Sequence, residues 1–444
     1  MPQILISGGT VVNEGRRFRG YVLVRDGLIA EIGEGERAGE FRGTRIDAAG
    51  KIVMPGVIDV HVHFREPGLT HKGDMSSESA AAVAGGVTSV MEMPNTVPAA
   101  TSLDELERKF DLAATRMHTN YSFFLGATND NLAEVKRLDP RQVCGVKLFM
   151  GSSTGNMLVD SDRAVSALFA ESPAIISAHC EDESIVRANT DLYRARCGEN
   201  AMAEIHPLVR PGEACYRSSA RAVELADKYG ARLHVAHVTT GRELSLFDSG
   251  PSAGKRITAE VCAPHLRFSD GDYARLGNLI KCNPAVKTAA DREALRAALS
   301  TGKIDVVATD HAPHTREEKA RPYWETPSGI LMVQHSLAVM MQLVSEGVLT
   351  LETLVERMCH APAEVFNISK RGFLRTGYHA DITIVDPSAE WTVSAGNILY
   401  KCGWSPLEGD RFGSGVFRTI INGKVAYDGN VIPEIAGERL TFDR

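Results

Sequence analysis

The chain has 444 residues, of which 43% are hydrophobic, and its formal net charge at pH 7 is -7. This length suits a large core with a second module, and the charge argues against nucleic acid or an anionic membrane surface as the main partner. No apolar run approaches the roughly 18 residues that span a bilayer. Eight scattered cysteines without a CxxC pair, and no signal peptide, predict reduced thiols in a cytoplasmic protein.

The two ends of the chain share a strand-and-turn character. ILISGGTVV and GYVLVRDGLIAEIG lie near the first end, and ADITIVDPSAEWTV and GVFRTIINGKVAYDGNVI lie near the second. Extended apolar runs separated by RDG, ING and YDG are typical of short strands joined by turns. They predict one small β-sandwich domain built from residues 1–54 and 367–444.

Residues 55–366 alternate between strand-like and helix-like segments. Eight strand-like runs occur, from VIDVHVHF at 57–64 to IDVVATDHAPH at 304–314, with stretches such as TSLDELERKFDLAATRM and TAADREALRAALSTG between them. Two more helices are predicted at about 328–346 and 351–366. This order predicts an α/β fold, a TIM-like (β/α)8 barrel. A doubly wound open sheet is the alternative, but no GxGxxG loop follows an early strand.

Polar side chains gather where the strand-like runs end, and the ends of barrel strands meet at one face. They are His61, His63, Asn95, Lys147, His179, His237, Asp310 and His314. Residues i and i+2 of a strand point to the same side, so His61 and His63 could face one metal ion. A lone HxH pair is more often structural. Four imidazoles and a carboxylate at strand ends, however, suit a divalent ion such as zinc.

This donor set exceeds the three protein ligands of an ordinary catalytic zinc. Two ions about 3.5–4 Å apart would use every donor and would need an anionic bridge. Lys147 in GVKLFMG lies where that bridge is wanted and would supply it as a carbamate on Nζ. A lysine that extends along the barrel rim to solvent is the alternative, and the residues alone favour it.

Five motifs follow one another along the barrel region. They are DVHVHFREPG at 59–68, MPNT at 93–96, AHCED at 178–182, KCNPAV at 281–286 and ATDHAPHT at 308–315. With these motifs and both flanking β regions, nearly the full length of the chain resembles the type I dihydroorotases of the amidohydrolase superfamily. HxHFREPG and DHAPHT are the most specific of the motifs.

The resemblance implies two zinc ions per subunit, bridged by carboxylated Lys147 and hydroxide. The metal ligands that it implies are His61, His63, Lys147, His179, His237 and Asp310. Some relatives lack the lysine and carry an aspartate in a TDDG-like stretch; MGSSTG has none here, which strengthens the case for Lys147. The substrate-binding residues that it implies are Arg65, Asn95, Asn283, His314, Ser328 and Gly329. A mobile loop is expected at 151–160.

The implied activity is the reversible hydrolysis of the cyclic amide of L-dihydroorotate to N-carbamoyl-L-aspartate, a step of pyrimidine biosynthesis. The bridging hydroxide would be the nucleophile, and Asp310 the general acid and base. Arg65 would hold the substrate carboxylate, because a guanidinium matches carboxylate geometry.

Three alternatives share the resemblance. Allantoinases and hydantoinases have the same fold and metal site, although allantoinases tend to carry asparagine where Arg65 stands. A non-catalytic dihydroorotase-like scaffold subunit would have lost metal ligands, and none is lost here.

The sequence leaves open the roles of His265 and Glu260 and the assembly of the protein. EVCAPHLRF has only His265 where relatives commonly carry a PHHL-like stretch. Glu260 matches a glutamate that contacts an additional metal in some relatives, and a strand-end acid paired with a base explains it equally well. The partners considered are the small-molecule substrate, a second copy of the chain in a homodimer, and aspartate transcarbamoylase; the sequence decides neither assembly.

Overall fold

The structure is a computed structural model that describes residues 3–151 and 157–444. Half of the loop predicted at 151–160, residues 152–156, lies outside the described residues. Within the described ranges, no helix is long and apolar enough to cross a membrane.

The chain begins with a group of strands and continues into the barrel. The first strands are β1 (Ile4–Asn13), β2 (Arg16–Arg25), β3 (Leu28–Glu34), β4 (Thr44–Asp47) and β5 (Ile52–Pro55). The barrel strands are β6 (Val57–Val62), β7 (Val87–Glu92), β8 (Asn120–Gly126), β9 (Gly145–Phe149), β10 (Ile176–His179), β11 (Leu233–Val235), β12 (Ile257–Cys262) and β13 (Val306–Ala308).

Helices lie between the barrel strands and after them, and a last group of strands follows. The helices are α1 (Met75–Ala84), α2 (Leu103–Ala113), α3 (Leu132–Arg137), α4 (Asp162–Glu171), α5 (Glu183–Cys197), α6 (His206–Val209), α7 (Gly212–Tyr229), α8 (Ala263–Arg267), α9 (Tyr273–Leu276), α10 (Ala289–Thr301), α11 (Arg316–Lys319), α12 (Ser336–Ser345), α13 (Leu351–Val355) and α14 (Ala361–Phe366). The last strands are β14 (Ile382–Asp386), β15 (Trp391–Thr392), β16 (Arg411–Phe412), β17 (Gly415–Ile421) and β18 (Lys424–Tyr427).

The strands β6 to β13 form a parallel sheet in sequence order. The sheet closes through a parallel bridge between Val62 and His311, where the backbone N–H of His63 donates to the carbonyl of His311 at 2.7 Å. All eight predicted strands are therefore present in a TIM-like barrel, and the closed sheet rules out the doubly wound alternative.

Local signals explain where a predicted helix begins and ends. At the start of α10, Thr288 and Asp291 form a capping box, in which each side chain accepts from the other residue's backbone N–H. Gly302 follows the helix with φ 72°, a left-handed conformation that glycine adopts readily. Thr288 and Gly302 are the first and last residues of the stretch TAADREALRAALSTG, so the predicted helix begins and ends at these signals.

A second sheet joins the two ends of the chain. Its order is β18-β17-β14-β5-β1-β2-β3, with β4 paired to β1. It docks on the barrel through the hydroxyl of Thr383, which donates to the carbonyl of Gly86 at 2.6 Å, and that of Thr419, which donates to Val83 at 2.8 Å. The predicted barrel with a sheet domain from both termini is confirmed, and the boundaries at 54/55 and 366/367 stay a prediction.

The C-terminal residues pack against one end of the barrel. The backbone N–H of Tyr121 donates to the carbonyl of Glu438 at 3.0 Å, and that of Leu440 donates to Tyr121 at 2.9 Å. Leu440 and Phe442 belong to the same buried cluster as Ile58, near the start of β6. The N-terminal end of the barrel is thereby covered, and the polar strand ends lie at the other end.

The helix predicted from about residue 328 begins only at Ser336. Residues 327–329 are irregular, and Gly329 has φ 157°. A Cβ at Gly329 would lie 2.4 Å from the carbonyl of Ala312, so the segment packs tightly on the chain that follows β13. The helix predicted at 351–366 is present as α13 and α14, joined by a π-helical turn at Glu356–His360.

Candidate metal centre

A cavity of about 210 Å³ lies at the C-terminal ends of the barrel strands. Its lining residues are His61, His63, Arg65, Asn95, Lys147, Phe149, His179, His237, Asn283, Asp310, Ala312, His314, Pro327, Ser328 and Gly329. Every residue that the sequence predicts as a metal ligand or substrate contact lines this one cavity. The closed barrel explains their convergence, because the ends of its parallel strands surround a common opening.

His61, His63 and Asp310 form the first group of donor atoms. The Nε2 atoms of His61 and His63 lie 3.3 Å and 3.0 Å from Oδ1 of Asp310. Burial raises the pKa of Asp310, but the charge of His61 and the hydrogen bond with His63 outweigh it and hold that pKa below the ordinary range. The carboxylate is therefore ionised, as a metal ligand must be.

His179 and His237 form the second group. Nδ1 of His179 lies 2.9 Å from Nε2 of His237, and Nε2 of His179 lies 2.9 Å from Oε2 of Glu181. Burial lowers the pKa of both imidazoles, so each favours the neutral form that coordinates a metal. With Glu181 on its far side, His179 presents Nδ1 towards His237.

Lys147 is fully buried and does not reach solvent along the barrel rim. Among the described residues its Nζ has no hydrogen-bond partner, and it lies 5.1 Å from the centroid of the Phe149 ring. Burial lowers the pKa of this amine. An unpaired buried ammonium is costly, whereas a neutral amine can react with carbon dioxide and become a carbamate.

The spacing of these donors matches metal coordination. Nitrogen and oxygen ligands that lie 2.0–2.1 Å from a tetrahedral zinc are about 3.3 Å from one another. The donor pairs of the two groups lie 2.9–3.3 Å apart. The residues present therefore fit metal ions, and the buried amine of Lys147 is in the same cavity.

Acidic and amide side chains contact the Nδ1 atoms of His61 and His63, on the side of each ring away from Asp310. Oε1 of Glu260 lies 2.8 Å from Nδ1 of His61, and Oδ1 of Asn95 lies 2.7 Å from Nδ1 of His63. Such contacts fix the tautomer and orientation of metal-binding imidazoles. Glu260, whose role the sequence left open, also pairs with Nε2 of His234 at 3.2 Å.

Sequence reasoning missed Glu181, although it stands two residues after His179 in AHCED. Its Oε2 atom accepts from Nη1 of Arg210 at 2.6 Å as well as facing His179. The i, i+2 spacing was the available signal, since it places both side chains on one side of an extended segment.

Arg65 brings a positive charge into the cavity. Its backbone has φ 71°, its Nε donates to the carbonyl of Pro313 at 3.0 Å, and its Nη2 lies 3.0 Å from Nε2 of His314. Burial, and then the charge of Arg65, lower the pKa of His314 to about 3, which leaves that imidazole neutral. A positive φ at a non-glycine residue costs on the order of 1–3 kcal/mol, so the surrounding contacts hold Arg65 in this orientation.

Asn283 approaches the cavity from the segment after α9. Its Oδ1 atom is buried and, within the described part of the chain, has no partner. His265, the other position left open, has Nε2 at 3.1 Å from the carbonyl of Pro284. His265 thus supports the segment that carries Asn283.

Known proteins resemble the chain in sequence and in fold. The amidohydrolase family matches residues 52–426. Dihydroorotases from Geobacter metallireducens and Halobacterium salinarum are 35% and 32% identical to it, covering 96% and 94% of this chain and 99% of each relative. The solved structure of an L-hydantoinase (dihydropyrimidinase) from Arthrobacter aurescens superposes with a TM-score of 0.94 at 29% identity, covering 99% of this chain and 100% of that one.

Proposed function

The chain belongs to the amidohydrolase family and is a cyclic amide hydrolase, and we propose that its reaction is the reversible hydrolysis of L-dihydroorotate to N-carbamoyl-L-aspartate. The observation that carries this choice is Arg65, a buried guanidinium in the cavity of the metal-binding donors. Dihydroorotate carries a carboxylate beside its cyclic amide, and an arginine fork matches that group.

Two zinc ions are proposed as the cofactors. His61, His63 and Asp310 would hold one, His179 and His237 the other, and carboxylated Lys147 would join them. Two such ions would supply an activated water at neutral pH and would polarise the amide carbonyl. The neutral imidazoles, the ionised Asp310 and the buried amine of Lys147 support this assignment.

The remaining steps fall to side chains of the cavity. Asp310 accepts the proton of the attacking water and delivers it to the ring nitrogen as the amide bond breaks. Arg65 and neutral His314 bind the substrate carboxylate. Asn95, Asn283 and the backbone at Ser328 and Gly329 orient the ring, and Oδ1 of Asn283, which has no partner among the described residues, accepts a hydrogen bond from it.

A hydantoinase is the second candidate, favoured by the superposition with the L-hydantoinase at a TM-score of 0.94. Hydantoin and dihydrouracil contain a cyclic amide but no carboxylate. On those substrates the buried charge of Arg65 would face no substrate carboxylate, and a buried charge without a counter-charge is costly. We therefore place dihydroorotate first.

We propose the cytoplasm as the location. A homodimer and association with an aspartate transcarbamoylase stay predictions, which sedimentation of the protein alone and with that enzyme would test.

Steady-state kinetics decide between the candidates. The zinc-loaded protein is assayed on L-dihydroorotate, dihydrouracil, hydantoin and allantoin. We expect kcat/KM to be highest for dihydroorotate by at least about a hundredfold, or about 2.7 kcal/mol. A preference for hydantoin or dihydrouracil would favour the second candidate, and no turnover on any of them would favour a scaffold subunit.

A further inference from the structure

Lys319 lies outside the cavity, yet it contacts two chain segments that line it. It is the last residue of α11 and is only 2% exposed. Its Nζ donates to the carbonyls of Lys281 at 3.0 Å, Pro327 at 3.1 Å and Gly329 at 3.0 Å. A lysine Nζ has two N–H donors as an amine and three as an ammonium, so each of them has a carbonyl acceptor in either form.

The carbonyls belong to segments 281–284 and 327–329, which bring Asn283 and Ser328 to the cavity. Neither segment is helix or strand, so regular backbone hydrogen bonds do not fix their relative position. One direct bond joins them, from the N–H of Gly329 to the carbonyl of Lys281 at 2.9 Å. The bonds from Lys319 connect the same two segments from the side of α11.

The choice of lysine here is specific. In the described part of the chain, Nζ of Lys319 donates to backbone carbonyls, and no carboxylate is among its acceptors. Burying an amine or an ammonium group is unfavourable, and an apolar side chain of similar size would ordinarily fill such a space at lower cost. The bonds that Lys319 makes to the two segments are what an apolar residue could not supply.

A second lysine reinforces the arrangement. Nζ of Lys281 donates to the carbonyls of Tyr323 and Thr326, both at 2.6 Å. The chain from α11 to Gly329 is therefore held at two places. Nζ of Lys281 binds the carbonyls at 323 and 326, and Nζ of Lys319 binds those at 327 and 329.

We propose that Lys319 is a positioning residue for the substrate, which fixes segments 281–284 and 327–329 against each other and so sets the place of Asn283 and Ser328 in the cavity. This inference rests on the proposed function, in which those two residues bind substrate. Lys319 acts only through them.

The test compares Lys319→Met with a matched control, Lys303→Met. Lys303 also donates to a backbone carbonyl, that of Leu244 at 2.9 Å, but neither residue lines the cavity. For Lys319→Met we expect KM for dihydroorotate to rise about tenfold with kcat changed less than about threefold. Metal content should stay at the wild-type value, and amide hydrogen exchange in peptides spanning 327–332 should be faster. Lys303→Met should change none of these.

An unchanged KM, or exchange at 327–332 equal to the wild type, would overturn the inference, as would a fall in kcat that follows loss of metal. If the wild type does not hydrolyse dihydroorotate, the proposed function fails, and hydrogen exchange still reports whether Lys319 joins the segments. Lys319→Gln keeps two N–H donors and serves if the methionine variant does not fold. If neither variant folds, Lys319 supports the whole barrel, and the positioning role is wrong.

Discussion

Nδ1 of His179 faces Nε2 of His237 at 2.9 Å, with both imidazoles buried. Because Nε2 of His179 faces the ionised Glu181, a neutral His179 carries its proton there and presents a lone pair at Nδ1. Nδ1 of His237 has no partner within the described residues, so a neutral His237 carries its proton at Nε2 and donates it to Nδ1 of His179. Two nitrogens this close can instead hold one cation between them once that proton is released.

Removing the metal should therefore destabilise the fold. Ions that bind only the folded state stabilise it by about 2.7 kcal/mol per site at a hundredfold excess over Kd. We expect chelation to lower the unfolding temperature and added zinc to restore it, as measured by scanning calorimetry. An unfolding temperature that is the same with and without chelator would contradict a bound metal.

Lys147→Ala should lose bound metal and activity together, because no other described side chain in the cavity would replace the anionic bridge. Metal content by elemental analysis and turnover of dihydroorotate are measured on the same preparation. The control is Lys136→Ala, which removes a surface lysine paired with Glu171 and should leave both unchanged. Two tightly bound metals with full turnover in Lys147→Ala would exclude the carbamate bridge.

The variant Arg65→Met should keep its metals but bind dihydroorotate more weakly. Truncating one partner of a buried charge pair costs about 2–5 kcal/mol, so kcat/KM for dihydroorotate should fall at least about thirtyfold. Dihydrouracil has the same ring without the carboxylate and serves as the control substrate. Its kcat/KM should change less than about threefold. An equal loss on both substrates would remove Arg65 from the carboxylate.

The stability of the protein should rise with pH through Lys319. Burial is the main cause that lowers its pKa to about 7, with the charges of Lys281 and Arg65 adding to the shift and that of Glu318 opposing it. The ordinary lysine pKa is about 10.4. Between about pH 7 and 10 the unfolded chain therefore holds a proton that the folded protein has released, so the free energy of unfolding increases with pH.

Chemical denaturation at pH 7 and pH 9 measures this dependence. Relative to Lys319→Met, the wild type should gain on the order of 1–2 kcal/mol at the higher pH. Identical pH dependence in the two proteins would mean that Lys319 keeps its proton throughout.

The sequence predicted the parts of the site that follow from strand periodicity. His61 and His63 stand two apart at the end of a strand, so they face one side, and the barrel topology brings His179, His237 and Asp310 to the same opening. The residues alone favoured an exposed Lys147, because burial at a strand end cannot be read from one strand. The closed barrel shows that it is buried.

The residues that support the site were not predictable in the same way. Lys319 reaches Lys281 across 38 positions, a contact that no local pattern encodes. The segment from about residue 328 was predicted as helix, but it packs against Ala312 and donates the Gly329 N–H to Lys281 instead. Pro327 and Gly329 are poor helix formers, and these tertiary contacts hold the segment in an irregular conformation.

The most direct test is a zinc titration of the metal-free protein in bicarbonate buffer, followed by hydrolysis of L-dihydroorotate. Turnover should be absent without zinc and should rise to a plateau at about two equivalents per subunit. Turnover that is independent of zinc, or complete at one equivalent, would contradict a two-metal centre. Stoichiometric zinc binding without turnover of dihydroorotate would contradict the proposed substrate.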